Sequence, residues 1–153
     1  MLNRLLFPLL ATCCAALLAV SPAAAQSSNL DTVEGPGSGE KTTLTITPHR
    51  LTDRISARAL GVKRPAGTRW ALTLIGVSPS DSLRLTLGEE PLPLRDLTRP
   101  AEGDVGPTRL YLSRSTFRTV AERGAVRLHI GDTATSFPEQ MRTEMQQILE
   151  DVI

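Results

Sequence analysis

Two histidines, a run of arginines and a few paired carboxylates are the side chains here whose types and spacing admit chemistry. His49 lies four residues before Asp53, and His129 three residues before Asp132. A histidine with a nearby aspartate can serve as a general base, or the two can supply a pair of metal ligands. Neither spacing matches a metal motif and no third or fourth ligand accompanies either pair. Both histidines therefore read as solvent-facing residues, His129 on the polar side of a strand. Ser113 and Ser115 lie outside any G-x-S-x-G elbow. Glu89-Glu90 and Glu150-Asp151 are adjacent carboxylates, which point apart, whereas glycosidase work needs two that converge across a cleft. Gly35-Pro36-Gly37-Ser38-Gly39-Glu40-Lys41-Thr42 spells much of a phosphate-binding P-loop. Glu40 stands where glycine must precede the lysine, and its charge would repel phosphate. The sequence assigns no catalytic residue, no metal site and no cofactor.

The arginines carry more. From Lys41 to Arg69 there are seven basic residues against the single acid Asp53, and from Asp132 to Asp151 five acids against Arg142. Read as a helix, His49–Arg58 lines up Arg50, Arg54 and Arg58 on one face, with Lys63, Arg64 and Arg69 following. Guanidinium groups grip carboxylates and phosphates bidentately, so such a face suits an acidic protein surface or an envelope component. Solvation, or internal pairing with the acidic C-terminal helix, is the plainer expectation for it.

The elements that position these groups begin after a leader. Arg4, an apolar run from Leu5 to Val20 and Ala23-Ala24-Ala25 follow the order of a secretory signal peptide cleaved after residue 25. Both cysteines, Cys13 and Cys14, lie inside it, so the remaining chain has no thiol with which to staple its fold. Leu10-Ala11-Thr12-Cys13 resembles the lipid-attachment box of bacterial lipoproteins, which implies acylation of Cys13 as an alternative to simple cleavage. Thr12 departs from the small residues usual there. No later stretch is apolar enough to span a membrane. Once Arg4 is removed, the other Lys and Arg residues balance the 16 Asp and Glu, so net charge does not point to nucleic acid. Trp70, Tyr111, Phe117 and Phe137 are the aromatics beyond the leader, too few to form a stacking platform.

Residues 26–41 are polar and rich in Gly and Ser, which predicts a flexible tail before a single domain over 42–153. Thr43–Thr47 alternates with period two and predicts a strand with one buried face. Residues 51–60 fit either a short amphipathic helix or an edge strand. Trp70, Leu72 and Leu74 share one face of a strand whose other face, with Ile75 and Val77, is also apolar. Leu83, Leu85 and Leu87 alternate in the next strand, and Pro91 and Pro93 confine their neighbour to a sheet edge. Ser113 N-caps a helix carrying Phe117, Val120 and Ala121, and Val126, Leu128 and Ile130 follow in a strand. Ser136 to Glu139 has capping-box spacing ahead of a closing amphipathic helix with Met141, Met145, Ile148, Leu149 and Val152 on one stripe. The order predicts an α+β domain: a mostly antiparallel sheet with two or three short helices packed on one face.

The expected function is that of an exported, periplasmic or extracellular, bacterial protein that binds a partner without catalysis. Two alternatives stand beside it. One is a small periplasmic hydrolase or metal-dependent enzyme whose site is dispersed over loops; the other is a lipid-anchored envelope protein.

Overall fold

The computed structural model describes residues 28–37 and 39–153. The leader read over residues 1–25, with Cys13 and Cys14, lies outside the described residues.

Eleven strands and two helices are described. Strands β1 (Leu30–Glu34), β2 (Lys41–Thr45), β3 (His49–Arg50), β4 (Ser56–Arg64) and β5 (Gly67–Ile75) come first. Then follow β6 (Leu83–Leu87), β7 (Glu90–Leu92), β8 (Asp96–Thr98) and β9 (Thr108–Leu112). Helix α1 (Arg114–Glu122), β10 (Val126–Ile130), β11 (Thr133–Ser136) and α2 (Glu139–Asp151) complete the chain. A seven-stranded sheet runs β1-β2-β4-β5-β9-β8, with β3 pairing onto β4, and a four-stranded sheet runs β11-β10-β6-β7. Every described pairing is antiparallel.

One core serves both sheets and both helices. Leu72, Leu74, Leu110 and Leu112 of the large sheet meet Leu85, Leu128 and Ile130 of the small one, together with Phe117 and Val120 of α1 and Met141, Met145 and Ile148 of α2. Trp70 and Phe117 pack with ring centroids 5.2 Å apart. The alternation of β10 and the stripes of both helices are buried as their periodicity requires. Strand β4 turns small residues, Ala57, Ala59 and Gly61, toward this core. Gly61 is required there: a Cβ would stand 2.8 Å from Ile148 Cγ2 and 3.1 Å from Val152 Cγ2.

Four expectations are corrected. Residues 51–60 form neither the helix nor the edge strand, because 51–54 turn and Ser56–Arg64 is a nine-residue strand in the interior of the sheet, so two of the expected two or three helices are present among the described residues. Two sheets stand in place of one. Leu30–Glu34, inside the expected flexible tail, is an edge strand paired residue by residue with β2, Leu30 opposite Thr45 and Glu34 opposite Lys41. Backbone hydrogen bonding and the Asn29 contacts described below fix a segment that has little apolar surface. Finally, Ser136 ends β11 and the N-cap of α2 is Pro138, with no side-chain cap, so the capping box does not form. Ser113 does cap α1, its hydroxyl accepting from Thr116 N at 3.0 Å.

Candidate binding groove

The most informative departure from the sequence pattern is on β2. Its threonines, Thr43 and Thr45, are the residues buried against the core, while Leu44 is half-buried and Ile46, just past the strand, is 49% exposed. The inward threonines find partners: Thr43 Oγ1 lies 3.2 Å from Thr32 Oγ1, and Thr45 Oγ1 accepts from Ala59 N at 3.3 Å. The apolar side of the strand thus faces outward. Strand registry then shows what shares that outer face, because residues directly opposite in an antiparallel pair point to the same side. Leu44 is opposite Leu60, Leu60 opposite Ala71, and Ala71 opposite Tyr111. The next row reads Arg58, Thr73, Arg109, and beyond it lies Ile75, 41% exposed.

Two loops wall this face. Gly76 to Pro79 rises from the end of β5, and Pro100 to Pro107 precedes β9 with Val105 fully exposed. Gly76 has φ +89°, and any Cβ there would collide with the Arg54 carbonyl oxygen, so only glycine lets the first wall leave the sheet along this path. Arg99 ties the walls together: its guanidinium donates to the carbonyls of Ser78 (3.3 Å), Pro79 (3.0 Å) and Asp81. Between walls and sheet lies an open groove of about 810 Å³. Leu44, Leu60, Ile75, Val77, Pro79 and Val105 give it an apolar lining. Arg58, Arg109 and Asp104 are the charged side chains on it. The Arg58 Nε atom is buried with no hydrogen-bond partner, and neither Arg58 nor Arg109 pairs with a carboxylate among the described residues.

The basic residues singled out from the sequence do not form one face. Because 56–64 is a strand, Arg50, Arg54 and Arg58 never line up. Arg50 donates to the Asp53 carbonyl at 3.3 Å, and Arg54 lies in the exposed turn before β4. Arg64 is exposed at the β4–β5 hairpin. Arg69, opposite Val62, stands on the outer face two rows from Arg58. Lys63 turns to the helix side and donates to the Ile153 main-chain oxygen at 3.1 Å, as Lys41 does to that of Asp151 at 3.0 Å. Of the six, Arg58 alone lines the groove.

The histidines have separate fates. His129 is half-buried on β10, its Nε2 3.0 Å from Thr86 Oγ1, while Asp132 sits in the β10–β11 turn. His49 Nε2 lies 2.6 Å from Glu144 Oε2 of α2. Asn29 Nδ2 reaches both Glu144 oxygens at 3.2 and 3.3 Å, and Gln140 Nε2 reaches Oε1 at 3.3 Å. The same Asn29 brackets Thr47, accepting from its N–H at 2.8 Å and donating to its carbonyl at 3.1 Å. The cluster joins the start of β1, the bend before β3 and the middle of α2. Glu144 was missed in the sequence, although a carboxylate three residues after Met141 falls on the apolar stripe of α2. The P-loop spelling belongs to the β1–β2 turn, where Gly35 N donates to the Glu40 carbonyl at 2.9 Å. Among the described residues no group of three or more His, Cys, Asp or Glu stands ready to hold a metal, and no helix is long and apolar enough to cross a membrane.

No family model, curated protein or solved structure matches this chain.

Proposed function

We propose that this chain is an exported, non-catalytic binding module that holds an apolar ligand of the cell envelope in the groove on the outer face of its seven-stranded sheet. One observation carries the reading: β2 spends buried positions on threonine and sends Leu44 outward to join Leu60 and Ile75 in a walled concavity. A pattern set by core packing alone would put the leucine inside, and local rules break most often where function requires it. Ligand sites are concave, mainly apolar and carry a few polar groups, as this one does. Export rests on the leader, and the absence of a thiol from the described chain fits a fold that needs no redox control.

The test is binding of Nile red, a neutral dye whose emission rises in apolar surroundings. The protein starting at Gln26 is expected to enhance its emission saturably, and Leu60→Glu to abolish the effect while keeping the far-ultraviolet circular dichroism spectrum. No enhancement, or an undiminished one in Leu60→Glu, removes the reading.

The hydrolase alternative has one observation in its favour, the 2.6 Å contact between His49 and Glu144. Both Glu144 oxygens are already engaged by side chains of this protein, and no hydroxyl hydrogen-bonds to His49 among the described residues. That arrangement suits a structural tie better than a nucleophile-activating pair. Hydrolysis of p-nitrophenyl decanoate that disappears in His49→Ala would reinstate the enzyme.

A further inference from the structure

The groove's charge distribution goes beyond its apolar lining and specifies a head group. Building on the binding reading above, we infer that the ligand is a single-chain amphiphile with one carboxylate, its alkyl chain on Leu44 and Leu60 and its head on Arg58 and Arg109.

The argument starts from the row Arg58–Thr73–Arg109. Neighbouring strands lie about 4.8 Å apart, so the two arginine Cα atoms flank Thr73 at roughly twice that spacing. Both arginines line the same groove, with Thr73 between them in the row. Arg58 makes no ion pair among the described residues, and of its guanidinium nitrogens only Nε is closed off from solvent, so the other two stay open to an acceptor in the groove. Arg109 is exposed, but it too lacks a carboxylate partner.

Asp104 limits the charge of that acceptor. Two guanidinium groups and one carboxylate line the groove, leaving a single positive charge to neutralise. A monoanion does so; a phosphate dianion would overshoot and meet Asp104. The planar fork of a guanidinium also matches the two oxygens of a carboxylate. Directly beside this row on one side lies the pair Leu44–Leu60, while Ile75, two residues past Thr73 on β5, lies on the other side. Head and tail sites are therefore adjacent, and one molecule spans both. The groove volume of about 810 Å³ lies within the ordinary range for a small-molecule site.

Calorimetric titration at pH 8 with decanoate and with decanol separates head from tail, since the two differ only in the charged group. Decanoate is expected to bind at least about tenfold more tightly than decanol, the gain from one charge-assisted contact. Arg58→Gln and Arg109→Gln, both at positions outside the core, should each remove about that factor for decanoate and leave decanol unchanged, with unaltered melting temperatures. Equal affinity for the two probes, or decanoate binding indifferent to both substitutions, overturns the carboxylate inference and leaves the groove standing. Failure of both probes and of Nile red removes the binding reading itself.

Discussion

At the residue scale, the Asn29–His49–Glu144 cluster shows how a few polar groups hold together segments far apart in sequence. Asn29 uses both ends of its amide on the Thr47 backbone while also reaching Glu144, so one side chain ties the two segments together. Thr47 is exposed and water can replace Asn29 there, but removing Asn29 or His49 leaves the buried Glu144 carboxylate short of a donor, at about 1–3 kcal/mol. His49→Ala and Asn29→Ala are each expected to destabilise the fold by that amount in urea melts, and their double variant by less than the sum, because they share Glu144. Additive losses would show that the contacts act independently. Gly61 makes a sharper case. Gly61→Val places carbon where Ile148 and Val152 already stand, and overpacking of this kind costs about 1–3 kcal/mol. A melting temperature equal to the parent's would mean that α2 moves aside without loss.

At the element scale, the sequence was legible wherever burial follows periodicity and mute where polar contacts override it. The stripes of both helices, the alternation of β10 and the edge position of the proline-bearing β7 could be read directly. The β1 strand could not, because its stability comes from pairing with β2 and from Asn29, neither of which leaves an apolar pattern. Residues 51–60 misled through arginines at helical spacing, a periodicity that a strand with Ala57 and Ala59 inside satisfies equally well. The groove was hidden for a related reason: alternation shows that a strand has two faces but not which one meets the core. Arg58 drew notice as part of a basic run, and only registry across three strands placed it beside Arg109. The caps allow a direct test. Ser113→Ala removes the hydroxyl that accepts from Thr116 N and should cost about 1 kcal/mol. No comparable loss is expected for Ser136→Ala, since Ser136 ends β11 and caps nothing; a loss of similar size there would restore the capping box.

At the scale of the whole molecule, two sheets and two helices close over one continuous core. Such a body should unfold in a single transition. Emission of Trp70, buried against Phe117, and far-ultraviolet circular dichroism are expected to give coincident melting curves. Separation of the two would mean that the four-stranded sheet melts on its own.

The strap formed by Arg99 has a kinetic consequence. It spans the two walls of the groove without lining it, so on the binding reading proposed above its loss would change how often the aperture widens more than how well a ligand fits. On that reading, affinity and residence time would be governed by different side chains. A protein built in this way can be given a faster exchange of cargo by loosening one guanidinium, with the lining itself left untouched.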